Sequence, residues 1–298
     1  MRSRKQLHHE LQFVTEFSVL LDVLQQSAMA QLRHTEERLG RMPLLMERIR
    51  REFFPLVPSW ARQQWALRGG AKGRLMVVIT SDEGFVGPLH AAAIHAAQRR
   101  ADGEAEWVFV GQRGWRMLEG QPGMTRRGVS QAAPQVIPIP PEERTAEQMA
   151  RLRQFIVTAY RTRTLRDAWV VAPRYRSATR QDVVVQQLLP LPVPPPTREE
   201  PRLVIEPTMA RVMERLAEVW VETACFEMFQ SARRAEFAAR AMHVEAARQE
   251  LGRRSRAVRH EWFKMMHEHM DVLVRETCVV QRQVSRRAAR QHLERVTG

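Results

Sequence analysis

Residues 5 to 54 hold one proline, Pro43, and one glycine, Gly40, and sampling at heptad spacing gives Leu7, Leu11, Val14, Ser18, Leu21, Gln25, Ala28, Leu32, Thr35, Leu39, Met42 and Met46. Nine of these twelve are apolar, the signature of a long helix with a narrow apolar seam. A helix of about fifty residues rising ~1.5 Å each would reach about 75 Å, too long for one compact domain. Gly40 and Pro43 are expected to bend it or end its straight part. Between Phe13 and Leu24 the apolar set widens to include Phe17, Val19, Leu20, Leu21 and Val23. That is more than a two-stranded seam uses, so more than one partner surface should cover this end.

The far end of the chain reads the same way. After Glu206-Pro207, a proline suited to a first helical turn, a helical pattern continues to the end and is interrupted only by Gly252. Val212, Leu216, Val219, Phe226, Phe237, Ala241, Val244, Leu251, Val258, Trp262, Met265 and Leu273 follow one another mostly at three-, four- or seven-residue steps. Two long helices therefore bracket the middle of the chain. Coiling them together in antiparallel sense is the simplest way to bury both seams.

The middle changes period. Arg74 to Thr80, Trp107 to Gly111, Val136 to Ile139, Ala168 to Ala172 and Val183 to Leu189 are short apolar, largely β-branched runs. They alternate with helical stretches from Leu89 to Arg100 and from Thr145 to about Arg163, the latter opened by a capping box of Thr145 and Gln148. This predicts a small α/β domain with a mostly parallel sheet. The expected fold class is an α/β insert on a long antiparallel two-helix coiled coil. Its parts are an amino-terminal rod helix over 1–56, a connector over 57–72, the α/β domain over 73–192, a Pro-rich connector over 193–206 and a carboxy-terminal rod helix over 207–298.

Composition narrows the function. Of 298 residues, 44% are apolar, enough for a real core. No stretch approaches the ~18 uninterrupted apolar residues of a membrane span, and Met1 to Glu10 lacks the apolar region of a signal peptide, so a cytosolic chain without its own anchor is expected. Cys225 and Cys278 lie far apart inside helical patterns, which excludes a disulfide scaffold or a Cys-rich zinc site. The net charge of +14 is carried almost wholly by arginine, with only Lys5, Lys72 and Lys264 as lysines. Residues 1–60, 61–200 and 201–298 are each net positive, so the charge belongs to folded surface that seeks anionic partners.

Catalytic motifs do not stand out. Gly84 and Gly87 sit between a strand and a helix, but no Lys-Ser/Thr follows and the spacing is short of a dinucleotide fingerprint; a structural turn is the expectation. Asp82 and Glu83 are adjacent and do not make an acid/base pair. His260 and His267 are a heptad apart, about 10 Å along a helix, while His267 and His269 face different sides, so no shared ion is expected. Neither a metal nor a cofactor is implied. The strongest charge feature is the stretch from Ala232 to Arg259, with eight arginines against three glutamates, whereas Leu203 to Ser231 has five glutamates against two arginines. Such a change of sign along one rod suggests different partners at different heights.

These motifs, in this order, resemble the γ subunit of rotary F-type ATP synthases. Lys5-Gln-Leu through Gln31-Leu-Arg and Glu36-Glu-Arg38 follow the family's first helix, and Val77-Val-Ile-Thr-Ser-Asp-Glu-Gly-Phe-Val-Gly-Pro-Leu-His90 is similar to its strand and "STDRGLCGGLN" turn. Val110-Gly-Gln-Arg-Gly114 resembles its next strand exit. Gln187-Leu-Leu-Pro-Leu-Pro192, Val204-Ile-Glu-Pro207 and Ala238-Ala-Arg-Ala-Met242 with Ala246-Ala247 match later elements of the family. Departures are Glu83 in place of a basic residue, Pro88 in place of a glycine, and an apolar first helix where relatives carry polar residues. The end either runs about eighteen residues past the usual one or carries an insertion before Ala289-Arg-Gln291. Such drift is of the kind found in alternate, sometimes sodium-coupled, bacterial ATPase operons.

The resemblance implies a non-catalytic central-stalk rotor, coupling ion flow through a membrane c-ring to ATP synthesis or hydrolysis in a surrounding ring of α and β subunits. Further implied partners are the ε subunit and the c-ring, with peripheral association on the cytoplasmic face of the bacterial plasma membrane, no nucleic acid and no nucleotide on this chain. Candidate interface residues are Arg253, Arg254 and Arg256 for acidic loops of the catalytic subunits, Arg113, Trp115 and Arg116 for a stalk subunit or the c-ring, and Phe13, Phe17 and Leu21 for the sheath around the rod. The alternative class is a basic coiled-coil nucleic-acid-binding protein, which the arginine excess permits although no aromatic residues cluster beside the arginines. An enzyme built on the α/β insert is a third class and lacks a site.

Overall fold

A computed structural model describes residues 4–39, 44–101, 105–119, 134–163, 165–195 and 204–296. The chain forms two compact units, residues 1–24 with 245–298, and residues 25–244. The division cuts both long helices, α1 (Arg4–Leu39) and α6 (Met209–Val296), rather than falling at their ends.

In the first unit the two helices lie side by side in opposite directions. Arg248 pairs with Asp22 at 3.0 Å, Arg254 with Glu10 at 2.7 Å, and the ring of Trp262 lies 5.8 Å from that of His8, so partners descend along α1 as they ascend along α6. Leu7, Val14, Leu21 and Val258 are buried between them. The heptad of α1 is thus the reason it packs: its seam is the face that leaves water. From His267 to Arg282 every side chain of α6 is exposed.

The second unit is built on a five-stranded sheet in the order β3-β2-β1-β4-β5, with β1 (Lys72–Ile79), β2 (Ala105–Val110), β3 (Gln135–Ile137), β4 (Leu165–Ser177) and β5 (Arg180–Leu189). The β1–β2, β1–β4 and β2–β3 pairs are parallel and β4–β5 is an antiparallel hairpin. Strand β1 explains its own sequence: Leu75, Val77 and Ile79 face one core while Met76 and Val78 face another, so an uninterrupted apolar run is needed. The second core is covered by Ala93, Ile94 and Ala97 of α3 (Leu89–Ala101) and by Leu118 of α4 (Gln112–Glu119). The first core is closed by Met149, Leu152 and Ile156 of α5 (Thr145–Thr162) and by Met213, Trp220 and Phe229 of α6.

Several expectations shift in detail. Gly40 and Pro43 lie outside the described residues, but α1 ends at Leu39 and a new short helix, α2 (Leu44–Arg48), runs into a π-helical turn over Ile49–Phe53. Ile49 and Phe54 then join the first core, and Phe54 packs on Trp220 with ring centres 5.0 Å apart. The connector that follows forms short 3-10 turns whose Ala61 and Ala66 are buried in that same core. The capping box does not form: Thr145 is the first residue of α5, and its hydroxyl donates to the Pro141 carbonyl instead. The strand exit expected over Val110–Gly114 is where β2 ends, at Val110, and Arg113 then lies in α4, a helix of eight residues holding Gly114 that carries little local signal.

Candidate protein-interaction surfaces

On the first unit Phe13 is 60% exposed and its ring stacks on that of Phe17 at 5.6 Å, while Val19, Leu20 and Val23 are also exposed. This is the wide apolar face read from the sequence. Leu21 is a correction: it is 1% exposed and belongs to the seam, because its heptad position turns it toward α6. It therefore offers no surface to a partner.

The three carboxy-terminal arginines separate. Arg253 and Arg256 line a polar groove of about 450 Å³ with Ser18, Asp22, Arg248 and Gly252. Arg253 pairs with Glu250 at 3.2 Å and the Arg256 Nε donates to the Gly252 carbonyl. Arg254 does not line this groove and is held by Glu10 through both Nε and a terminal nitrogen. All three are exposed, which suits a charged contact that steers more than it stabilises.

On the second unit, α4 places Arg113, Trp115 and Arg116 unequally. Arg116 is exposed and bonded to Gln112, whereas Trp115 is half-buried against Phe109, ring centres 6.0 Å apart, and belongs to the second core. Arg113 lies over the loop joining β1 to α3, close enough that a Cβ on Gly84 would meet its guanidinium at 2.7 Å.

That loop, Ser81 to Gly87, has both of its acidic side chains engaged with protein donors. Asp82 accepts from the Gln112 N–H at 2.7 Å and from the Ile139 N–H at 2.9 Å, so it straps the ends of two neighbouring strands together. Glu83 pairs with Arg240 of α6 at 2.9 Å. Left-handed backbone occurs at Phe85 and Gly87, with φ of 62° and 58°, and not at Gly84, where a Cβ would meet only the movable end of the Arg113 side chain. Behind the loop, the Ser81 hydroxyl donates to the Glu83 carbonyl, so the 2.7 Å contact to buried His90 is made by Nε2–H donating to Ser81. This is the reverse of a nucleophile facing its base. Burial, then Arg113 and Arg240, push the His90 pKa down to about 4, so the imidazole is neutral at pH 7.

Arg240, Glu236 and His90 form a buried polar group that the sequence reading did not single out. The four-residue step from Glu236 to Arg240 on a helix was the available signal. A separate apolar groove of about 900 Å³ is lined by Leu45, Phe53, Leu56, Val204, Val212 and other residues of the second unit. Among the described residues no group of three metal-capable side chains comes together, and no helix is long and apolar enough to cross a membrane.

Comparison with known proteins decides the family. Residues 3–262 match the family model described as ATP synthase. The chain belongs to the ATP synthase γ-chain family. It is 28% identical over 182 residues to an ATP synthase gamma chain of Geobacter metallireducens, covering 58% of this chain and 60% of that one. A gamma chain of Moorella thermoacetica is 26% identical over 174 residues, covering 57% and 59%. The chain thus spans about three fifths of the length of these γ-chain relatives. In fold it is similar to a chain in the rotor of Euglena gracilis mitochondrial ATP synthase, with a TM-score of 0.61 at 15% identity, covering 90% of this chain and 98% of that chain. A chain in the OSCP/F1/c-ring part of the same enzyme gives the same TM-score, 0.61, covering 93% of each.

Proposed function

We propose that this chain is the central-stalk rotor subunit of a rotary F-type ATP synthase, non-catalytic itself, coupling ion flow through a membrane c-ring to ATP synthesis or hydrolysis in a surrounding ring of α and β subunits. The observation that carries this is the pairing of α1 and α6 in opposite senses, Asp22 with Arg248 and Glu10 with Arg254, in a γ-family chain whose middle is an α/β domain. The two helices wind as an antiparallel coiled coil, a stiff rod with an apolar side at Phe13 and Phe17 and a charged side at Arg253 and Arg256. The rod sits inside the ring, and the α/β domain meets the ε subunit and the c-ring, partly through Arg113 and Arg116. Attachment to the cytoplasmic face of the bacterial plasma membrane is peripheral and runs through the c-ring. Neither a cofactor nor a metal has a part on this chain.

The test is affinity purification of the tagged chain from its own host. Recovery of two nucleotide-binding subunits in a large assembly, and loss of ATP-driven ion pumping in membrane vesicles on deletion, are expected. Salt-dependent nucleic-acid binding by a chain that joins no such assembly would overturn the reading and favour the basic coiled-coil class.

A further inference from the structure

The second unit joins its sheet domain to α6 unevenly. Met213, Trp220 and Phe229 fill the first core, whereas beside the β1–α3 loop the contact is made by Ala235 and Ala239 against Val86 and Leu89. Apolar contact has no direction of its own, and small side chains reach less far into a facing surface than large ones. Directional contacts add to the hold of the sheet domain on α6. Most of them are partly open to water: Arg161 with Glu214 and Arg153 with Glu218 have side chains 23–49% exposed.

One arginine is different. Arg240, 7% exposed, is paired at 2.5 Å with Glu236, 3% exposed, on the same helix, and from there it reaches across to the β1–α3 loop. There its Nε donates to the Gly84 carbonyl at 3.2 Å and a terminal nitrogen meets Glu83 at 2.9 Å. A turn further along α6, His243 abuts Gly87 so closely that any Cβ there would lie 1.9 Å from its ring nitrogen. The loop is itself tied to the sheet, through Asp82 to the start of α4 and to the segment after β3, and through Ser81 to His90 of α3. A force on Arg240 is therefore passed to the ends of three strands.

We propose that Arg240, oriented by Glu236, locks the sheet domain to α6 against twisting and is a positioning residue for torque transfer. The torque role rests on the rotor reading above; the joint itself does not. Apolar packing holds the two parts together, and the buried arginine sets their angle beside the loop. Burial holds the Glu236 carboxyl above its ordinary range, and Arg233 and Arg240 offset that only in part.

Two variants test this: Glu83→Gln, at a side chain 69% exposed, and Arg240→Lys, which keeps the charge but loses the planar fork. Arg161→Ala, at a solvent-exposed pair on the same interface, is the control. In the purified full chain, amides of residues 82–87 should exchange about tenfold faster in both variants, with the core of the sheet unchanged. In the reconstituted complex, both variants should hydrolyse ATP at the normal initial rate yet reach a lower steady ion gradient, because the joint slips only under load. Arg161→Ala should reach the normal gradient. A role in folding alone would lower rate and gradient together. Unchanged loop exchange in Glu83→Gln and Arg240→Lys would overturn the joint, and a normal gradient despite faster exchange would overturn the torque role. A wild-type chain that joined no nucleotide-binding subunits would sink the rotor reading, while the exchange pattern would still decide the joint.

Discussion

Asp22 and Arg248 are 226 positions apart in sequence, and their side chains meet at 3.0 Å. The contact marks the register of α1 on α6: His8 with Trp262 follows fourteen residues further along each helix, as two opposed helices require, and the long side chains of Glu10 and Arg254 meet between them. Register is not the same as stability. Both side chains of the Asp22 pair are more than 40% exposed, so water and salt screen it. Asp22→Asn should leave the thermal midpoint nearly unchanged, whereas Leu21→Ala, one residue away in the buried seam, should cost about 2–5 kcal/mol. Thermal denaturation of the two variants checks both halves.

Phe13, Val19, Leu20 and Val23 of α1 and Phe263, Met270, Val274 and Val280 of α6 are exposed large apolar side chains, which favour association of a chain left without partners. Expressed alone, the chain should aggregate or self-associate. Phe13→Ser should reduce light scattering by the free chain and, in the same variant, weaken its recovery with ring subunits. Unaltered scattering together with full recovery would count against a sheathed rod.

Arg253 and Arg256 share a groove and, among the described residues, pair with none of α1, unlike Arg254. Replacing both by Ala should keep the melting midpoint and lower the number of ions pumped per ATP in reconstituted vesicles. Arg254→Ala should instead loosen the contact with Glu10. Normal pumping by the double variant would remove these arginines from the coupling path.

No ATP, ADP or NADH should bind at the Ser81–Gly87 loop, because Asp82 and Glu83 repel an anion and both already hold protein donors. Calorimetric titration must use the whole chain. A fragment of residues 73–200 would lack Phe54, Trp220 and Phe229, which close the first core. Micromolar affinity for any of the three ligands would revive the enzyme class.

His90 gives a pH signature. Its pKa in the folded chain, about 4, lies below the ordinary 6.5, so the unfolded chain binds more protons between those values. Stability from this group is complete above about pH 6.5 and declines as pH falls toward 4, by at most ~1.4 kcal/mol per unit and ~3 kcal/mol in all. Denaturant unfolding of wild type and His90→Asn at pH 7 and pH 5 should show a smaller pH loss in the variant. Equal losses would mean that His90 does not titrate in this window.

What the sequence by itself determined is what near neighbours encode. The seven-residue repeat of Leu7, Val14 and Leu21 makes one helical face apolar wherever the chain goes, and all three are buried. The run from Leu75 to Ile79 demands a strand covered on both sides, and the sheet places β1 at its centre. Tertiary structure decided which side chains within those patterns remain outside. Phe13 and Leu21 read alike as apolar residues of one helix, but only the partner α6 turns Leu21 inward and leaves Phe13 in water. Trp115 looked like a surface anchor until Phe109 and the second core took its ring. Arg240 was one arginine among many in a basic stretch, and its partners Glu83 and Gly84 lie more than 150 positions away. Periodicity is local and survives in the chain as written, whereas the pairing of a buried charge depends on which distant backbone folding brings beside it, and on the desolvation that makes leaving it unpaired so costly.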